Sequence, residues 1–155
     1  MVAYRWASKD DLEALLSIRM VALRAIFSFK NDIDFASLEK SNRAYYERHL
    51  DDGRHVALLA YDEEKIVGTG AICFEEELPS PDNPSGRCAY FMNVYVLPEE
   101  RGKGLGTEIM KRLLARAKEE GADKLYLEST PLGRPIYYKL GFVDFPYLLH
   151  LPPRN

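Results

Sequence analysis

The order of apolar and polar positions along the chain predicts an alternation of strands and helices. Residues 2–7 read as a short first strand. Ser8 is placed to cap a helix beginning at Lys9, with Asp10, Asp11 and Glu13 favourable in its first turn. Leu12, Leu15, Leu16, Leu23 and Ile26 give that helix an apolar face, with Ile18 as an extra apolar position. An aromatic loop over 27–32 leads to a second helix, about 35–50, whose inner residues are Leu38, Tyr45, Tyr46 and Leu50. Strands follow at 54–61 and 65–76, separated by the turn Asp62-Glu63-Glu64, and a proline-rich loop over 78–86 joins them to a strand at 88–97. Ile109, Met110, Leu113, Leu114 and Ala117 then fall at helical spacing over 104–120, and Gly121 supplies a C-terminal stop. Another strand is expected at 123–129. Pro131 and Pro135 bracket the start of a short helix that runs to Leu140. One or two last strands are expected within 142–151. The order β-α-α-β-β-β-α-β-α-β reads as one α/β domain over residues 1–155, with helices layered on a mixed sheet and with no repeat or linker.

Between the strand ending at Leu97 and the helix carrying Ile109 stands Pro98-Glu-Glu-Arg101-Gly102-Lys103-Gly104-Leu105-Gly106-Thr107. Glycines where a strand turns into a helix expose free amide N–H groups at the positive end of the helix dipole, which makes a site for phosphate. A nucleotide P-loop is excluded, because Gly104 rather than Ser or Thr follows Lys103 and Leu97 stands where the first glycine belongs. A dinucleotide fingerprint is excluded too, since Ile109 occupies the place of its third glycine. The spacing that remains is Arg-x-x-Gly-x-Gly, as Arg101, Gly104 and Gly106.

In that spacing and context the chain resembles the GNAT family of N-acetyltransferases, whose loop of this form holds the pyrophosphate of acetyl-CoA. A second segment, Ile136-Tyr137-Tyr138-Lys139-Leu140-Gly141-Phe142, resembles the late Leu-Tyr-x-Lys-x-Gly-Phe signature of the same family. The match is good over about 64–143; further upstream only the pattern of elements agrees. The resemblance implies a mixed, mostly antiparallel sheet with about four helices, splayed between its fourth and fifth strands, here 88–97 and 123–129. It implies that residues 101–107, namely Arg101, Gly102, Lys103, Gly104, Leu105, Gly106 and Thr107, hold the cofactor's pyrophosphate. It further implies that the pantetheine arm pairs with the backbone of Val94, Tyr95 and Val96.

An acetyl thioester attacked by a neutral amine gives an oxyanion and expels a thiolate, so an acid near sulfur and an outlet for the ammonium proton both help. Tyr137 matches the family tyrosine that protonates the departing thiolate. Histone-modifying members carry a glutamate where this chain has Tyr90. Arylalkylamine-modifying members carry histidines where it has Tyr90 and Met92, so neither device is present. Glu75 and Glu128 are candidate proton acceptors, direct or through water, alongside ordered water alone. The asparagine that many members carry before the last helix is missing, and Thr130, Gly133 and Arg134 stand in that region. The acceptor side offers Phe27, Phe29, Tyr45, Tyr46 and Tyr90. The function expected from the resemblance is an acyl-CoA-dependent N-acetyltransferase acting on a primary amine of a small molecule or peptide. A non-catalytic acyl-CoA-binding sensor or interaction module is the competing reading.

Composition narrows the partners. The formal net charge of −3, with no basic stripe beyond the glycine loop and its helix, argues against a nucleic-acid binder. No apolar run reaches membrane-span length, and the first residues lack a basic segment followed by an apolar core, so a cytoplasmic protein is expected. His49, His55 and His150 are scattered, and no metal site is expected. Cys73 and Cys88 fall on neighbouring strands and read as buried thiols in a reducing compartment, a disulfide being conceivable. Whether the chain forms a homodimer is left open.

Overall fold

The computed structural model describes residues 1–153; the last two residues of the expected domain lie outside the described part. Five strands, β1 (Val2–Trp6), β2 (His55–Asp62), β3 (Lys65–Glu76), β4 (Arg87–Val96) and β5 (Lys124–Leu127), form one sheet in sequential order. The first four are antiparallel neighbours, whereas β5 runs parallel to β4. A parallel neighbour needs a crossover connection, and helix α3 (Leu105–Glu119) provides it. Helices α1 (Leu12–Ile26) and α2 (Phe35–His49) cover one face of the sheet. Helix α3 and the short α4 (Arg134–Lys139) cover the other. The splayed, mostly antiparallel α/β sandwich with four helices is therefore the architecture.

Two cores follow from this layering. Leu15, Leu16, Ile18 and Leu23 of α1 meet Ala57, Leu59, Ala71 and Tyr95 on one face. Ile109, Met110, Leu113 and Ala117 of α3 meet Leu58, Ile72, Phe74 and Phe91 on the other. Because both faces are covered, β3 is buried from Val67 through Ile72 instead of alternating. The chain meets α3 there through glycine. A Cβ on Gly70 would stand 2.6 Å from Ile109 Cγ2 and 2.9 Å from Leu113 Cδ1, so the bare backbone sets how closely α3 lies on the sheet.

Several expectations need correction. Ser8 caps a 3-10 turn, Lys9–Asp11, that precedes α1, through a reciprocal box in which the Ser8 amide donates to Asp11 Oδ2 at 2.8 Å. Ile26 ends α1 exposed, outside the apolar face assigned to it. The fifth strand is four residues rather than seven. No strand forms within 142–151. Pro146 lacks an N–H for pairing, and Tyr147, Leu149 and Leu151 are exposed, so that stretch has neither a ladder partner nor a surface to cover. Cys73 pairs with Tyr90 and Cys88 with Glu75 across the β3–β4 ladder, so the cysteines are diagonal neighbours and both are free thiols.

Candidate active site

The β4–β5 ladder runs only from Cys88↔Lys124 to Phe91↔Leu127. Beyond it the two strands part, and a cleft of about 920 Å³ opens between them. Met92 through Val96 line one wall; Glu128, Ser129, Thr130, Gly133 and Tyr137 line the other.

On the β4 wall the strand is bulged. The register shifts opposite Gly70, and Asn93 takes φ of 53°, a left-handed conformation that asparagine tolerates better than most side chains. The extra residue leaves Met92 and Tyr95 on the α1/α2 side of the sheet, while Val94 and Val96 pack toward α3. The Asn93 side chain is pinned in turn, because Arg19 Nη1 of α1 donates to its Oδ1 at 3.1 Å.

At the end of β4 a 3-10 turn, Pro98–Glu100, leads into the glycine loop. Gly102 and Gly104 have φ of 79° and 81°, which glycine adopts at least cost. A Cβ at either position would meet nothing within 4 Å, so space is open above the loop. Gly104 is the N-cap of α3 and has no side chain to satisfy the helix's first amides, while Leu105 anchors the turn in the core. The N–H groups of the first turn thus face the cleft with the positive end of the helix dipole behind them. Gly102, Gly104, Leu105, Gly106 and Thr107 all line the cleft. Arg101 lines it as well, its Nε donating to the Val96 carbonyl at 3.1 Å and its guanidinium lying over the Tyr95 ring. Lys103 stands apart from the lining, exposed and paired with Glu100 at 2.7 Å.

On the opposite wall Tyr137 packs edge-on against Phe142, with ring centroids 5.9 Å apart. A Cβ on Gly133 would come within 3.2 Å of the tyrosine ring, so glycine there leaves room for it. Burial raises the Tyr137 pKa, which keeps the phenol protonated and able to donate at neutral pH. Its hydroxyl has no side-chain partner among the described residues. Glu128 lines the cleft and accepts from the Tyr90 hydroxyl at 3.2 Å; burial, with the Glu128 charge, pushes Tyr90 up to about 12. Glu75 does not line the cleft, and accepts instead from Tyr126 at 2.7 Å. Thr130 and Gly133 reach the cleft, but Arg134 turns to Tyr138 and Asp144.

Arg19 and Asn93 line the cleft and are not singled out by the sequence patterns. A signal was there for Arg19. It occupies the stripe Leu12, Leu16, Arg19, Leu23, Ile26, where a helix that packs on a sheet calls for an apolar residue.

Against known proteins, the model of the acetyltransferase (GNAT) family matches residues 16–142. The chain belongs to the GNAT acetyltransferase family. Among curated relatives, "Probable glucosamine 6-phosphate N-acetyltransferase 2" of rice is 36% identical over 94 residues, 58% of this chain. The match spans 55% of that relative's length, and 64% of a second rice relative's. The uncharacterized N-acetyltransferase YjgM of Escherichia coli is 30% identical over 151 residues, covering 96% of this chain and 85% of its own. A crystal structure from Clostridium acetobutylicum, described as a predicted acetyltransferase with acetyl-CoA, is 34% identical, with a TM-score of 0.89 and coverage of 98% of this chain and 96% of its own. Within the GNAT fold, the bulged β4, the glycine turn and α4 are the parts that meet at the cleft.

Proposed function

We propose that this GNAT chain transfers the acetyl group of acetyl-CoA to a primary amine of a small molecule or peptide. The observation that carries the reading is the glycine turn at the head of α3. It offers unpaired amides, a positive helix end and open space, and it sits at the mouth of a cleft that also holds a protonated tyrosine. These residues suit a diphosphate, which asks for convergent N–H donors and a close backbone approach. The relative from Clostridium solved with acetyl-CoA, and the glucosamine 6-phosphate N-acetyltransferases among the curated relatives, support the donor and the amine.

When bound, acetyl-CoA supplies a reactive thioester. The chain supplies the rest. The amides of Gly102 through Thr107 grip the pyrophosphate, helped by the Arg101 charge, while the exposed Lys103 adds to the field from outside the lining. The backbone of Val94, Tyr95 and Val96 orients the arm along β4, as an added strand would be held. Tyr137 gives its proton to the departing thiolate. Glu128, in the cleft and already bound to Tyr90, takes the amine's proton through water; Glu75, outside the lining, is the weaker candidate.

Release of free thiol from acetyl-CoA, measured against a panel of small amines and amine-bearing peptides, tests the reading. Amine-dependent thiol release with an acetylated product is expected. Tight CoA binding without turnover across the panel would favour a binding module instead.

A further inference from the structure

A second, smaller pocket of about 250 Å³ adjoins the cleft behind β4. It lies among α1, α2 and the bulge, and shares Arg19, Met92 and Asn93 with the cleft. Its other walls are Ser41, Asn42, Tyr45, Tyr46 and His55. No carboxylate lines it.

Arg19 is anomalous there. Six other arginines (Arg5, Arg43, Arg87, Arg112, Arg116 and Arg134) pair with carboxylates, and Arg24, Arg48, Arg54 and Arg101, which form no ion pair among the described residues, are exposed to water. Arg19 forms no ion pair among the described residues, although it is half-buried between packed helices. Its Nε donates to Asn42 Oδ1 at 3.2 Å and its Nη1 to Asn93 Oδ1 at 3.1 Å, both neutral amide oxygens. Its second terminal nitrogen has no partner among the described residues. A guanidinium taken partly out of water without a counter-charge is costly, and its desolvation weakens its hold on the proton. Two amide oxygens hold the guanidinium plane and leave Nη2 without a partner among the described residues, a charged donor suited to a carboxylate or phosphate oxygen. His55 adds no negative charge. It is buried, its Nδ1 meets the Tyr45 hydroxyl at 3.0 Å, and its Nε2 has no partner among the described residues.

We propose that this pocket is an anion subsite for the acceptor: Arg19 receives the acceptor's carboxylate or phosphate while the amine of the same molecule points into the splay between β4 and β5. The inference rests on the acetyl-transfer reading above and names the acceptor class: amines that carry an anionic group. One positive charge without a negative one favours such acceptors over neutral or cationic amines of the same shape.

The test compares matched acceptors that differ only in the anion. Phosphate arms are glucosamine 6-phosphate against glucosamine and O-phosphoethanolamine against ethanolamine; the carboxylate arm is β-alanine against β-alaninamide. The wild type is expected to prefer the anionic member in at least one arm by roughly tenfold or more in kcat/KM. In Arg19→Gln that preference should collapse, and in Arg19→Lys it should return in part, because the charge is restored without the planar fork. The arm that responds identifies phosphate or carboxylate. Should Arg19→Gln lose its cooperative unfolding transition, Asn42→Asp reads the same effect. A carboxylate beside Arg19 Nε neutralises the pocket and is expected to abolish the preference. Equal use of both members in every arm, or a preference that survives Arg19→Gln and Asn42→Asp, overturns the subsite and leaves acetyl transfer standing. No acetylation of any amine overturns both.

Discussion

A phenol packed against an aromatic ring and lifted in pKa by burial holds its proton at neutral pH, and Tyr137 is in that position at the cleft wall. Tyr137→Phe keeps the packing and removes only the donor. The expected outcome is a fall in kcat of roughly a hundredfold with little change in the affinity for acetyl-CoA, read by steady-state kinetics beside calorimetry. An unchanged kcat would remove the tyrosine from the mechanism. His55 makes a different prediction, on stability. Burial, with repulsion from His49 and Arg19, pushes its pKa from 6.5 down to about 4. The unfolded chain therefore binds a proton in that window that the folded chain refuses, so stability rises with pH there and is lost as pH falls from 6.5 toward 4. The histidine accounts for up to about 3 kcal/mol of that loss. In His55→Phe, thermal unfolding followed across this range should show a shallower acid-side decline than the wild type. These residue-level properties were unevenly legible. Tyr137 was visible because it sits in a motif. Glu75 and Glu128 look equivalent in the sequence, as isolated acids at the ends of strands, and only the fold, which sets them on opposite sides of β4, separates the one in the cleft from the one held outside it by Tyr126.

Elements are placed by backbone contact as much as by side chains. Helix α3 lies so close on β3 that Ile109 occupies the space a side chain at Gly68 or Gly70 would need. Adding one methyl as Gly70→Ala forces Ile109 and Leu113 to move, and should destabilise the fold by about 1–3 kcal/mol in denaturant unfolding. A smaller effect is expected for Gly106→Ala, whose added Cβ would make only ordinary contacts at 3.8 and 3.9 Å. The close seating matters for function, because the N-terminus of α3 is the proposed anion site and its position follows from how the helix rests on the sheet. The helices were readable from periodicity, which depends only on local spacing. The bulge was not, since a register slip depends on the partner strand and its one local trace is an asparagine amid β-formers. Residues 142–151 show the converse: an apolar run suggests a strand, but Pro146 interrupts its N–H row and no strand forms there.

At the scale of the molecule, one event makes the site: β4 and β5 pair for four residues and then part. The glycine turn, the bulged strand with Arg19 behind it and the tyrosine on α4 come from well-separated parts of the chain and meet at that divergence. The glycine turn and the tyrosine are legible in the sequence because each lies in a contiguous motif, and both line the cleft. The proposed acceptor side is only partly legible: Tyr45 and Tyr46, expected there from the sequence, line the smaller pocket, whereas Phe27, Phe29 and Tyr90 do not, and Arg19, Asn42, His55 and Asn93 are joined only by folding. The central claim is that the open amides at the head of α3 hold the diphosphate of coenzyme A. Gly104→Asp tests it, since it places a negative charge where phosphate must lie, at the cost of a left-handed backbone (φ 81°) that aspartate adopts less readily than glycine. In calorimetric titration with coenzyme A, the folded wild type should bind, and folded Gly104→Asp should bind more weakly by roughly a hundredfold or more, about 2.7 kcal/mol. Equal affinity in the two proteins, or no association with the wild type, would contradict the account.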